Sequence, residues 1–335
     1  MKKFFILSLV AMLAMTSKSF AQTALIATLL HEGEISAFYG ANALKEAYNA
    51  AVANDIITLS SGSFSAVDID KELTIRGAGM EPNAVTGTEP TILVGDFDVY
   101  KTITLEGIYS DNVIEVRRNS TADIQSSAFI KCRIKHVKME SSSENLTFMN
   151  CRITFEIISE NYSNSCICIN SIIRNACDYR TYDTKFNLSN CTIYTLNENN
   201  NNFKLRNSYL SNCIIIGAND ALDATNQVYN SVVVTENGNT NALDNVTNST
   251  NTVVGGYANL FETFTGTVND SEKFILKEEA RKKYLGLDGT EVGIYGGSLP
   301  FDPTTSNPQI TKCNVASKST VDGKLSVDIE VNGAQ

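Results

Sequence analysis

The chain has 335 residues, with 27 Lys and Arg against 37 Asp and Glu, a formal net charge of −10, and charged side chains at only 19% of positions. A surface of that sign repels nucleic acid and anionic lipid in bulk, which argues against nucleic-acid partners. After the first residues, no segment is long and apolar enough to cross a bilayer, so an integral membrane protein is not expected.

Lys2 and Lys3 precede an apolar run from Phe4 to Met15, and Ser19-Phe20-Ala21 follows before Gln22. Charge, short greasy core and small-residue cleavage site make residues 1–21 a secretory signal peptide. The product is expected to be exported from a bacterial cell, to the periplasm, the outer surface or the medium. The first Cys is Cys132, so a cleaved N-terminus has no acceptor for a lipid. Residues 1–21 carry Lys2, Lys3 and Lys18 and no acid, so cleavage would leave a more acidic protein.

Residues 43–53 place Leu44, Ala47, Tyr48 and Ala51 at helical spacing. Strand-like pieces follow at residues 56–59, 66–69 and 73–75, punctuated by Gly62, Gly77 and Gly79. An amphipathic helix before the first coil suits a solenoid, whose open apolar end must be capped.

A short phrase then recurs about every 20 residues: Asn, a small residue, and a β-branched pair. It reads Asn150-Cys151-Arg152-Ile153, Asn170-Ser171-Ile172-Ile173, Asn190-Cys191-Thr192-Ile193, Asn212-Cys213-Ile214-Ile215, Asn230-Ser231-Val232-Val233 and Asn251-Thr252-Val253-Val254, with Lys131-Cys132-Arg133-Ile134 as a degenerate first copy. One β-rich phrase per unit at this period signals a solenoid of stacked turns. Coils stack about 4.8 Å apart, so roughly ten of them make a rod about 50 Å long. Asn tolerates the left-handed backbone region, and stacked Asn amides can bond to one another from coil to coil.

The helix, Asn54-Asp55-Ile56-Ile57-Thr58-Leu59, Ser61-Gly62-Ser63-Phe64 and Leu73-Thr74-Ile75-Arg76-Gly77 together resemble the opening of pectate-lyase-like right-handed parallel β-helix proteins. The repeated phrase extends the likeness to about residue 256. The resemblance implies an all-β fold, a single-stranded right-handed parallel β-helix over residues 22–298 with an N-terminal capping helix. It implies no activity, because that architecture carries lyases, hydrolases, adhesins and binding proteins alike.

Alternation from Cys151 puts Ile153 and Phe155 inward and Arg152, Thr154 and Glu156 outward. Cys132, Cys151, Cys191 and Cys213 occupy a position that also takes Ser171, Ser231 and Thr252. That exchange selects a small stack-filling side chain, so these Cys are read as buried free thiols and not as a disulfide framework. Residues 197–202 and 237–251 read as polar loops between coils. After Gly256, residues 274–276 and 285–297 look like a closing coil. Residues 299–335 form a Pro-bearing linker with Pro300, Pro303 and Pro308, then a hairpin of residues 309–316 and 324–331 around Asp322-Gly323. This small C-terminal β tail resembles that of exported bacterial β-helix proteins, and is expected to cover the far end of the rod or to lie along it.

No complete catalytic set can be assembled. Polygalacturonase-like hydrolases carry Asn-Thr-Asp, Asp-Asp, Gly-His-Gly and Arg-Ile-Lys in that order, and only Arg133-Ile134-Lys135 occurs here, too early in the chain. Lyases of this fold hold Ca²⁺ on outward Asp residues and abstract a proton with Arg or Lys. Asp96 and Asp98 are the metal candidates on that reading, with Glu115 and Arg117 one coil later; otherwise no cofactor is expected. The repeat phase gathers Lys131, Arg133, Lys135, Arg152 and Arg174 on one outward face. Stacked like charges need neutralising, either by nearby acids such as Glu156 or by an acidic ligand. Tyr179, Tyr182, Tyr194 and Tyr209 offer rings for a sugar. The expected role is a non-catalytic binding protein for a glycan, an acidic polysaccharide included, or for a surface protein. The alternative is a divergent lyase cleaving a uronate polymer by β-elimination.

Overall fold

A computed structural model describes residues 25–117, 124–139, 143–159, 165–178, 184–195, 205–217, 222, 225–236, 243, 250–267, 269–305, 308–315, 318–319 and 322–332. Residues 1–21, expected to be a signal peptide, residues 197–202, expected to be a loop, Tyr179 and Tyr182 lie outside the described residues, as does most of 237–251.

The protein is a parallel β-solenoid. One sheet, here sheet 1, has 11 strands, and the other, sheet 2, has 12. Within each sheet successive coils pair in parallel, as in Leu146–Met149 on Ser165–Ile169 and Ile214–Gly217 on Val232–Thr235. The inward rows are apolar and closed to water: Phe129, Phe148, Cys168, Leu188, Leu210 and Val228 from sheet 1 meet Ile134, Ile153, Ile173, Ile193, Ile215 and Val233 from sheet 2. Phe129 and Phe148 stack at 4.9 Å between centroids.

The N-terminal end is closed in two ways. Ile26–His31 and Glu34–Tyr39 form an antiparallel pair that adds to the first coil strand, Ile56–Leu59, extending sheet 1 beyond its parallel part. The alternation of residues 26–39 was not read as strands in the sequence. The helix, Ala43–Ala50, is three residues shorter than its apolar periodicity suggested and buries Ala43, Leu44, Ala47 and Tyr48 on the open end. Its last carbonyls receive Lys71 Nζ, at 2.7 Å to Tyr48 O and 2.9 Å to Ala51 O, a cation at the negative end of the helix.

The Asn of each phrase sits at the corner before its sheet 2 strand. Asn150, Asn170, Asn190, Asn212 and Asn230 all adopt positive φ, between 43° and 55°, as that residue type allows. Each small residue turns inward behind it. Cys151 Sγ donates to Phe129 O, Ser171 Oγ to Phe148 O, and Cys213 Sγ to Leu188 O, so thiol and hydroxyl serve the same carbonyl row. Cys132, Cys151, Cys166, Cys168, Cys191 and Cys213 are free and buried, matching the sequence reading. Burial pushes the thiol of Cys166 up to about 12 and raises those of Cys151, Cys168 and Cys191.

Three expectations are corrected. Phe155 does not point inward: it is 41% exposed, because the ladder slips between Ile134 and His136, where Lys135 faces both Thr154 and Phe155. The outward-assigned Arg152, Thr154 and Glu156 are buried. Residues 274–297 are not a closing coil. The last solenoid strand is Thr252–Gly255, and residues 257–267 and 269–305, including the short helix Glu278–Lys283, fold back over the outer face of sheet 2 as a strap. Under it lies a second apolar cluster, in which Ile172, Tyr194, Ile214, Ile216, Val232 and Val234 meet Phe261, Phe264, Phe274, Leu276, Val292 and Ile294. Strands such as Ile214-Ile215-Ile216 and Val232-Val233-Val234 are therefore covered on both faces.

The hairpin forms from Gln309–Val315 and Val327–Asn332, antiparallel and paired only to each other. Pro300 and Pro303 belong to the strap instead of a free linker, since Phe301 and Thr305 beside them are buried.

Candidate functional site

The amides of Asn150, Asn170 and Asn212 do not reach the neighbouring corners; they hold the strap. Asn212 Oδ1 accepts Leu287 N–H at 2.9 Å, and its carbonyl accepts Gly293 N–H at 2.7 Å. Asn170 Nδ2 donates to Ile294 O at 2.8 Å and Gly296 O at 2.7 Å. Asn150 Oδ1 accepts Asp302 N–H at 3.0 Å, and Lys131 Nζ reaches Thr304 O at 2.6 Å. The strap thus runs from the late coils back toward the early ones and ends with Thr305 packed on Gly107. At φ 64° and with Thr305 against it, Gly107 has no room for a side chain.

This path decides the state of the five candidate basic residues. As the phase indicated, Arg133 and Arg152 are in register on adjacent strands, and Arg174 lies beside Thr154, to whose carbonyl it donates at 3.3 Å. Arg152 is 3% exposed, with Nε on Glu81 Oε1 at 3.1 Å, Nη1 on Glu272 O at 2.8 Å, and the guanidinium 5.8 Å from the Phe301 ring. Arg133 stands over Tyr109 at 4.8 Å and pairs with Asp270 at 3.6 Å. Lys131 pairs with Asp302 at 3.6 Å. Of the five, only Lys135 is exposed. The negative charge that the stacked cations require comes largely from the strap.

The acidic candidates are also engaged. Asp96 Oδ1 accepts Val113 N–H at 2.8 Å, while Asp98 accepts Tyr100 O–H at 2.6 Å and forms an ion pair with Arg117 Nε at 3.0 Å. Arg117 also contacts Glu115. The two Asp carboxylates thus have different protein partners. Among the described residues, no group of three or more His, Cys, Asp or Glu is arranged to hold a metal ion. His136 Nε2 lies 3.2 Å from the buried Glu156. His31 Nδ1 is 2.9 Å from Asp55 Oδ1, and Asp55 Oδ2 accepts Val52 N–H at 2.8 Å. That bond ties the end of the first strand to the turn after the helix.

The outer face of sheet 1 differs from that of sheet 2, because the strap does not cross it. Its register aligns Ala128, Thr147, Ile167, Asn187, Tyr209 and Gln227 in one row, and Ile130, Met149, Ile169, Ser189, Ser211 and Tyr229 in the next. Toward the last coils this face is polar and aromatic. Tyr209 is 41% exposed, and its ring lies 5.3 Å from that of Tyr229. Ser189 and Ser211 are hydrogen-bonded at 3.3 Å. Of the rings flagged in the sequence, Tyr194 is interior to the strap cluster and Tyr209 faces outward. Tyr229, Asn187 and Gln227 were missed. The spacing of Tyr209 and Tyr229 relative to their Asn phrases, three and one residues ahead of Asn212 and Asn230, would have placed both outward.

No protein-family model, curated protein or solved structure matches the chain.

Proposed function

We propose that the protein is an exported, non-catalytic β-helix of the pectate-lyase-like kind, a periplasmic or surface protein that uses an open face of the rod to bind a glycan. The supporting observation is the division of the two outer faces. The basic row of sheet 2 is matched by Glu81, Asp270, Asp302 and the strap carbonyls, whereas the late coils of sheet 1 present Asn187, Ser189, Tyr209, Ser211, Gln227 and Tyr229 to the surroundings. Small polar groups interleaved with aromatic rings suit a ligand that is at once hydroxylated and apolar.

The β-elimination alternative needs Ca²⁺ on Asp96 and Asp98 and a basic side chain presented to the substrate beside it. Those carboxylates serve Val113, Tyr100 and Arg117, and Lys131, Arg133 and Arg152 are turned into the strap. The test is a glycan array with the protein lacking residues 1–21, run beside an ultraviolet assay for unsaturated uronate products with Ca²⁺ added. Binding without product is expected. Calcium-dependent release of unsaturated sugars would overturn the reading, as would an array with no bound glycan.

A further inference from the structure

We infer that the outer face of sheet 1 around Tyr209 and Tyr229 is a binding platform for a linear, uncharged polysaccharide, an inference that rests on the glycan-binding reading above. Four observations converge on this place. First, Tyr209 is a large aromatic side chain held 41% exposed on a regular strand, in a molecule that buries Tyr194 and most of its Phe residues. Second, it is not alone: Tyr229, one coil on and diagonal to it, packs at 5.3 Å with 35° between the rings. The two rings pack on each other, so less rotamer freedom is left to lose on binding.

Third, the neighbours supply the complementary chemistry. Register puts Asn187 and Gln227 on either side of Tyr209 in its own row, and Ser211 beside Tyr229 in the next. Amides both donate and accept, which is what vicinal sugar hydroxyls require. The electron-rich ring faces meet the weakly positive C–H face of a pyranose. Fourth, the charge fits a neutral ligand. In a chain of net charge −10, the outward positions of Lys185–Ser189, Tyr209–Ser211 and Gln227–Tyr229 include no acid and one base, Lys185. An anionic polymer would find one cation there; a cationic one would find no partner.

The strands carrying these residues repeat at about 4.8 Å along the rod. A linear chain can therefore follow Asn187, Tyr209 and Gln227 from coil to coil, where a globular ligand would touch one point.

The experiment is affinity electrophoresis of the protein lacking residues 1–21 through gels containing a neutral β-glucan, a neutral mannan or polygalacturonate, with Tyr209→Ala, Tyr229→Ala and Tyr209→Phe run alongside. Tyr209 is half-exposed, so truncation leaves the core intact; circular dichroism checks this. Retardation by a neutral polymer is expected. It should weaken about tenfold in Tyr209→Ala and survive in Tyr209→Phe, which keeps the ring. Neutral-polymer binding unchanged in both Ala variants would overturn the platform and leave the glycan-binding reading standing. Retardation by polygalacturonate alone would overturn the neutral specificity. Retardation by none, with an array also blank, would sink both, and binding of a protein partner at these tyrosines would replace the polysaccharide.

Discussion

Asn170 tests whether the strap is fastened by the solenoid corners. Its side chain is 2% exposed and donates two short bonds, to Ile294 O and Gly296 O, while its backbone sits at φ 46°. Asn170→Gly accepts that φ without strain and removes only the amide. Gly296 O then loses its donor, while Ile294 O keeps Phe301 N–H at 2.7 Å. One buried carbonyl left unsatisfied costs about 1–3 kcal/mol and the lost second bond to Ile294 O about 0.5–1.5 kcal/mol; with part recovered by entering water, the expected loss is about 2–3 kcal/mol. Asn170→Ala should lose the same amount plus about 1 kcal/mol for a Cβ in the left-handed region. Asn170→Asp keeps the tolerated backbone but turns carboxylate oxygens toward two carbonyls, and should be the least stable of the three. Urea titration followed by circular dichroism reads the losses, and limited proteolysis shows whether cleavage begins in residues 284–305. Asn170→Gly within about 0.5 kcal/mol of the parent, with an unchanged cleavage pattern, would refute the fastening.

Arg152→Ala should destabilise by about 2–4 kcal/mol, the sum of a charge-assisted bond to Glu272 O, a pair to a partly exposed Glu81 and lost packing on Phe301. Arg174→Ala, with one long bond to a carbonyl, should cost under about 1 kcal/mol; equal losses in urea titrations would contradict the assignment. Native protein at pH 8 should leave Cys132, Cys151, Cys166, Cys168, Cys191 and Cys213 unlabelled by iodoacetamide, with labelling on unfolding, as read by peptide mass spectrometry. The His31–Asp55 contact predicts a pH window. The hydrogen bond and charge of Asp55 raise the His31 pKa above 6.5, so its contribution is full below 6.5 and lost as pH rises through the raised value. Burial alone would raise Asp55, but Val52 N–H and His31 outweigh it and hold it below 3.8, so its contribution is full above 3.8 and lost as pH falls through the lowered value. Thermal stability should therefore depend on His31 most between about pH 4 and 6.5, and a His31→Gln variant with an unchanged pH profile would exclude the pair.

The repeat made the solenoid legible because each coil solves the same problem. A left-handed corner wants Asn, the inward turn wants a small side chain, and the next two positions want β-branched residues. Simple alternation was enough to put Arg133 beside Arg152. It failed at Phe155, where one extra residue on either neighbour of Lys135 shifts the phase, and a local slip leaves no mark in composition. The strap was illegible for a different reason. Its side-chain fastenings join residues 75 to 227 positions apart, and its own segments have no period. Yet a sign of it was present: Ile214-Ile215-Ile216 and Val232-Val233-Val234 are apolar at every position, the pattern of strands covered on both faces. That continuous run pointed to a cover, and with it to partners for the basic row.

The strap also touches successive corners in order, from Asn212 through Asn170 and Asn150 to Lys131, and closes on Ala78, 227 residues from Thr305 in sequence. Stacked-repeat proteins can in general gain or lose a unit, because each unit senses only its neighbours. Here a deleted or duplicated coil would put every later fastening one step out of place. The strap therefore works as a ruler: it measures the finished stack against a fixed length of chain and holds the number of coils constant.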